Sequence, residues 1–225
     1  MAPDRKDLDS TMKTILVIGA NSHIYSEIKW RMGAYNVVEY PNECFGEKAL
    51  RWDICLIFIG KVAPVGNWWE QSFYSISNCI ECNLIDPWRL LHCMWDRRNP
   101  DATVIWFSGS NPQKIMDGYA PYNASKMAVN KLVEQLDHET PDAKFVAFGP
   151  GYVRDSKIHA PTLESNWPNE RIARGDAGTS SEDIWNALKF CIEAPKSVVG
   201  GRNIAVSDLP MPDTISESAY KLRRV

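Results

Sequence analysis

The apolar positions of the chain follow two rhythms. Short, nearly continuous apolar runs recur at 13–19 (KTILVIG), 35–40 (YNVVEY), 53–60 (DICLIFIG), 103–107 (TVIWF), 144–148 (KFVAF) and 202–206 (RNIAV). These runs are rich in β-branched or aromatic residues and too short for helices. Near-continuous apolar character predicts strands of a parallel sheet, which is covered on both faces. Between them, apolar residues recur three and four apart. That spacing predicts a short helix over 24–32 and a mostly helical stretch over 67–96, with Trp68, Trp69, Phe73, Ile76, Ile80, Leu84 and Trp88 in register. Pro87 should kink or split that stretch. A long amphipathic helix follows over 121–138, with Ala128, Leu132, Val133 and Leu136 on one side. A helix over 181–193 has Ser180 or Ser181 to cap it and Glu182 and Asp183 in its first turn.

Strands alternating with helices predict an α/β fold with a doubly wound parallel sheet, Rossmann-like in plan. The 225 residues suffice for one well-buried domain, over 13–225, after a loose polar tail at 1–12. Residues 152–178, polar and interrupted by Pro161 and Pro168, predict an irregular substrate-side flap. Ligands of such sheets bind at the carboxyl ends of the strands, where strand order reverses. Gly19, Gly60, Ser108, Ser110 and the Pro150-Gly151 pair all fall at predicted strand ends.

Composition removes several classes of partner. Net charge is −3, and Lys and Arg are scattered, so nothing points to nucleic acid. Apolar runs of about six residues are too short to span a membrane. Six cysteines are present, and Cys79-x-x-Cys82 is the one close pair. No second pair completes a zinc set, so no metal site is expected. Reduced thiols and the lack of an export signal suggest a cytoplasmic protein.

The candidate chemistry centres on Tyr122 and Lys126, four apart on the long helix and so on one face. A nearby ammonium favours the phenolate and is expected to lower the phenol's pKa, making Tyr122 a usable acid or base. His159 and Arg154, in the flap, are candidates to touch a substrate. Trp68 and Trp69 would pack in the core or an interface, or line the pocket mouth. His92 and His138 sit in predicted helices as structural residues.

With these residues in view, the order of motifs resembles the short-chain dehydrogenase/reductase family over about 13–208, most strongly over 76–155. Tyr122-x-x-x-Lys126, within YNASKMAVNKLVEQL, is similar to the family's catalytic helix. Asn83, in ECNLIDPWRLL, matches its asparagine in the preceding long helix. Ser108 and Ser110, 14 and 12 residues before Tyr122, both fall in its catalytic serine region, and the register between them is open. Gly149 through Val153 matches the Pro-Gly loop over the nicotinamide. The resemblance implies that Tyr122 is the general acid/base and that Lys126 lowers its pKa and binds the nicotinamide ribose. It further implies that a serine orients the substrate oxygen and that Asn83 holds a water in a proton relay. Gly19, Asn21, Ser22, His23, Ile24, Gly60, Lys126, Pro150, Gly151 and Val153 would contact NAD or NADP. A homodimer or homotetramer through the helices at 67–96 and 121–138 is also implied.

Four features depart from the family. After the first strand, Gly19-Ala20-Asn21-Ser22-His23-Ile24-Tyr25 keeps one glycine of the Gly-x-x-x-Gly-x-Gly pattern. His23 and Tyr25 should crowd the phosphates or force another loop shape. About twelve residues separate the second and third predicted strands, so the adenine side should be shortened and one outer strand missing. Glu39 is the nearest acid to the place where the ribose 2′ position is read, and the choice of NAD or NADP is unreadable. Ile57-Phe58-Ile59 replaces an Asn-Asn-Ala run, and Asp155 replaces a threonine. The expectation is an NAD(P)-dependent oxidoreductase acting on a small carbonyl or alcohol. The alternative is a catalytically impaired relative serving as a binding or assembly module.

Overall fold

A computed structural model describes residues 9–40, 51–109, 114–153, 156–164 and 176–208. Six strands form one sheet: β1 (Thr14–Ile18), β2 (Asn36–Tyr40), β3 (Trp52–Ile57), β4 (Arg98–Phe107), β5 (Ala143–Gly149) and β6 (Arg202–Ala205). All neighbours are parallel, in the order β2-β1-β3-β4-β5-β6. The chain runs outward from β1 to β2 and then crosses to the other side of β1 to form β3. Strand order therefore reverses between β1 and β3, which opens a crevice at their carboxyl ends. Among the described residues no strand lies outside β2, in keeping with the short 41–51 connection.

Successive side chains of a strand point to opposite faces, and here both faces are covered. Ile15, Val17, Ile54, Leu56, Ile105, Phe107, Val146 and Phe148 pack under α1 (His23–Ile28) and the 181–193 helix. Leu16, Ile18, Cys55, Ile57, Val104, Trp106, Phe145 and Ala147 pack on the opposite side, where the long helices lie. This double burial is why the strands read as unbroken apolar runs.

The 67–96 stretch is helical but not uniform. A 3-10 turn (Trp68–Glu70) precedes α2 (Phe73–Ile80), a π-helical turn spans Glu81–Ile85, and α3 (Asp86–Met94) follows. A proline ring in a helix clashes with the carbonyl four residues back, which for Pro87 is that of Asn83. The π turn widens the helix just there and inserts Asn83 into the site. β4 begins at Arg98, five residues earlier than its apolar run, and passes through Asp101 with φ +58°. The polar 98–102 stretch carries no strand signal, and pairing with Trp52 holds its start.

α4 (Ala120–Glu139) carries Tyr122 and Lys126. α5 (Ala160–Glu164) is the helical part of the flap. α6 (Ser181–Glu193) has the predicted bounds, capped by Ser180 Oγ accepting from Asp183 N. α7 (Lys196–Val199) is a single turn. Two lysines bind the carbonyl ends of helices: Lys144 Nζ donates to the carbonyls of Ile192 and Ala194, and Lys196 Nζ to those of Asp137, Thr140 and Ala143. Orphan carbonyls at a helix C-terminus attract such cations.

Candidate active site

α4 starts one turn before Tyr122, with Pro121 at a position where the missing N–H costs nothing. Its first turns lie against the end of β4. Lys126 is 3% exposed, and its ammonium donates to the carbonyl of Phe107 at 3.0 Å. The ring of half-buried Tyr122 has its centroid 5.9 Å from that nitrogen. Gly60, just past β3, faces the same space. A Cβ on it would stand 3.6 Å from Lys126 Nζ, 3.8 Å from Asn83 Oδ1 and 3.4 Å from Ile158 Cδ1 of the flap. Tyr122, Lys126, Asn83 and Gly60, drawn from three separate elements, thus meet at the carboxyl end of the sheet.

Asn83 is fully buried and acts as a clamp. Its Oδ1 accepts from Lys61 N and its Nδ2 donates to Lys61 O, both at 2.8 Å. The side chain fixes the exit of β3 and with it the position of Gly60. Lys61 Nζ in turn donates to Asn78 Oδ1.

Ser108 is tied to α4. Its hydroxyl lies 2.7 Å from Asn130 Oδ1 and 3.2 Å from the Lys126 carbonyl, both acceptors. It is buried and links the end of β4 to that helix. Asn130, one turn past Lys126, was not foreseen; a buried polar residue on the apolar side of α4 was the available signal. Ser110 lies outside the described residues.

On the other side of the crevice, Gly19 has φ +92°, and a Cβ on it would stand 3.0 Å from Ile59 Cγ1 and 3.1 Å from Ile59 N. Its carbonyl accepts from Ser22 N at 3.0 Å. Asn21 is exposed, Ser22, His23 and Ile24 are half-buried, and Ser22 makes no side-chain cap bond. Tyr25 does not reach into the phosphate path. It is 2% exposed, its ring lies 5.5 Å from that of Phe58, and its hydroxyl donates to Glu39 Oε1 at 2.6 Å. The ring is wedged between α1 and the sheet, where burial of its apolar body outweighs exposure in a loop.

The Pro-Gly loop follows β5, also at the carboxyl end of the sheet. Gly151 has φ +80°, and a Cβ there would collide with Thr179 Oγ1, while Thr179 N donates to the Tyr152 carbonyl. Pro150 and Val153 are buried. Tyr119, missed at the sequence level, has its hydroxyl 2.7 Å from Thr162 Oγ1, which fastens α5 to the start of α4. His159 packs against Tyr152, ring centroids 5.1 Å apart, and burial pushes its pKa down. Arg154 and Asp155 lie outside the described residues. Trp68 and Trp69 are not core residues; with Phe73 and Tyr74 they form an exposed aromatic strip. His92 and His138 are exposed on their helices.

Electrostatics reorder the expected roles. Burial pulls the Lys126 ammonium down to about 8, only partly offset by the Cys82 and Cys79 thiols. Burial pushes the Tyr122 phenol up to about 12, with further pushes from Cys79 and Tyr119. The expected lowering of the phenol by Lys126 is absent because the lysine loses its proton first. By the pH at which the phenol ionises, no positive charge is left beside it. At neutral pH the pair is a protonated phenol next to an ammonium, arranged to give a proton rather than take one.

Among the described residues, no group of three His, Cys, Asp or Glu could hold a metal ion, and Cys55, Cys79, Cys82, Cys93 and Cys191 are free thiols. No protein-family model matches the chain, and no curated protein is similar to it in sequence. Solved structures do match. A small-chain dehydrogenase in complex with NADPH superposes with a TM-score of 0.71 at 14% identity, covering 86% of this chain and 96% of its own. Thermoplasma acidophilum aldohexose dehydrogenase, in ligand-free form, gives 0.70 at 15% identity, with 93% and 100% covered. A short-chain dehydrogenase/reductase from Saccharomyces cerevisiae gives 0.70 at 16% identity, with 92% and 99% covered.

Proposed function

From a chain with the short-chain dehydrogenase/reductase fold, we propose an oxidoreductase acting on a small carbonyl or alcohol with NAD or NADP. The observation that carries the reading is the meeting of Tyr122, Lys126, Asn83 and Gly60 at the carboxyl end of β3 and β4. Gly60 brings bare backbone beside the Lys126 ammonium, where a Cβ would stand in van der Waals contact with Lys126, Asn83 and Ile158. The nicotinamide–ribose part of the cofactor would be held here by Lys126, Gly60, Pro150, Gly151 and Val153. The cofactor, when bound, supplies or accepts the hydride.

The remaining chemistry belongs to the chain. Tyr122, protonated at neutral pH, donates its proton to the carbonyl oxygen as charge develops there. Lys126, charged below about pH 8, stabilises the phenolate left behind. Asn83 keeps the β3 exit in place, and Ile158 of the flap lies beside Gly60. Titration of the purified chain with NADH and NADPH, followed by tryptophan fluorescence, tests the reading. Saturable binding below millimolar concentration, and loss of turnover with retained binding in Tyr122→Phe, are expected. No binding of either cofactor at millimolar concentration overturns it.

The placement of Ser108 and the Tyr25–Glu39 contact favour a second reading, a non-catalytic binding or assembly module. Loss of carbonyl turnover in well-folded Tyr122→Phe counts against that reading. We also propose a cytoplasmic homo-oligomer built through the helices at 67–96 and 121–138. Exposed Ile85, closing the π turn, and Trp88 on α3 supply apolar surface for it. Among the described residues no helix is long and apolar enough to cross a membrane. A monomer of 25.5 kDa on gel filtration would remove the oligomer.

A further inference from the structure

Glu39 stands 20 residues after Gly19, on β2 beside β1, with Val17 as its register partner. In dinucleotide-binding βαβ units, an acid about 20 residues past the first glycine hydrogen-bonds the adenosine ribose. Glycines in such loops let the backbone approach the pyrophosphate. Here the acid is in position but engaged. Tyr25, at the third glycine position, reaches under α1 and donates to Glu39 Oε1 at 2.6 Å. A hydroxyl–carboxylate bond of this length is among the stronger uncoiled contacts a side chain makes. The phenol's ring is fixed against Phe58 and inside the core under α1. Two further features act in the same direction. His23 puts a Cβ where the backbone must approach the pyrophosphate, and among the described residues no strand lies beyond β2 to extend the adenine side. On the opposite half, Gly60 keeps bare backbone beside Lys126 and Asn83.

We propose that Tyr25 withdraws the ribose-reading acid by hydrogen-bonding it, so that the site recognises a nicotinamide cofactor by its nicotinamide–ribose half and takes reduced nicotinamide mononucleotide about as well as the full dinucleotide. This rests on the oxidoreductase reading of the Tyr122–Lys126 site. A consequence is weak discrimination at the ribose 2′ position, because the adenosine ribose is not seated against Glu39.

The full-length chain is titrated calorimetrically with reduced nicotinamide mononucleotide, NADH, NADPH and 5′-AMP. The dissociation constants of the three nicotinamide compounds should agree within about threefold, and 5′-AMP should not compete with them. NADH binding more than about 30-fold tighter than the mononucleotide overturns the inference while leaving the oxidoreductase reading intact. Competition by 5′-AMP does the same. Failure of all three nicotinamide compounds to bind overturns the oxidoreductase reading, and this inference with it. In Tyr25→Phe, which keeps the ring in the core but removes the donor, NADH should gain about tenfold over the mononucleotide, whose own affinity stays unchanged. With folding verified by circular dichroism, an unchanged ratio in that variant assigns the lock elsewhere and overturns the role given to Tyr25.

Discussion

Replacing Lys126 with methionine should make the protein more stable while abolishing its activity. The ammonium is 3% exposed and has one hydrogen-bond acceptor, the Phe107 carbonyl. Drawing its pKa from 10.5 down to about 8 corresponds to a penalty of about 3 kcal/mol for holding the charge in the folded state, at about 1.4 kcal/mol per pH unit. Methionine has a similar volume and carries no charge, so Lys126→Met removes that penalty. It also leaves the Phe107 carbonyl without its donor, which costs about 1–2 kcal/mol. The net gain at pH 7 is therefore about 1–2 kcal/mol. Its pH dependence is the sharper test. Below pH 8 the lysine is charged in both states, and the native protein carries the full penalty. Between about 8 and 10.5 the folded chain has released the proton and the unfolded chain has not, so wild-type stability rises with pH. The variant lacks this rise, and its advantage should shrink and then reverse by about pH 10. Lys144, also near 8 in the fold, is common to both proteins and cancels from the difference. Urea unfolding of both proteins at pH 7, 8, 9 and 10 measures it. A stability difference that does not vary with pH, or one that grows in the variant's favour above pH 8, would refute the reasoning.

Three other outcomes follow from the same geometry. Ultraviolet titration of wild type minus Tyr122→Phe should show no tyrosinate from this phenol below about pH 11, because burial pushes it up to about 12; ionisation near pH 8 would contradict the order of titration given above. Asn83→Ala strips both polar groups of the Lys61 peptide of their partners and should lower unfolding free energy by about 3 kcal/mol in urea melts, with activity falling as Gly60 shifts. Ser108→Ala should cost about 1–2 kcal/mol of stability yet leave the KM for a carbonyl substrate unchanged; a raised KM with unaltered stability would return Ser108 to a substrate-facing role.

Much of the fold is legible in the sequence because the sheet is buried on both faces, so each strand announces itself as an apolar run. The 181–193 helix is legible to its last residue, since Ser180 caps it and Pro195 follows shortly after its end. The Tyr122–Lys126 pair is legible because helical spacing alone puts the two on one face. Direction within the core is a different matter. The resemblance marks Tyr25 as a bulky residue in a glycine's place but does not say that its ring turns under α1 to reach Glu39, which depends on a partner 14 residues away. The Ser108 and Ser110 spacings flank the expected one, and only the contact with Asn130 shows which way Ser108 faces. Pro87 announces a break, yet the form of the break, a π turn carrying Asn83, depends on how the helix meets Lys61. The order in which Lys126 and Tyr122 titrate depends on burial, which spacing does not report.

The shortened sheet has a consequence for how this protein meets other chains. β2 pairs with β1 alone among the described residues, and an edge strand is the kind of element that templates strand addition. Charged side chains are one common guard on such an edge. The one acid of β2, Glu39, has its carboxylate turned to Tyr25, leaving Asn36, Val37, Val38 and Tyr40 to flank it. The strand's length of five residues then becomes its principal protection, since a short edge offers few backbone bonds to an incoming chain. Among the described residues β2 is thus the edge of the sheet, and the one acid it carries is turned inward to Tyr25.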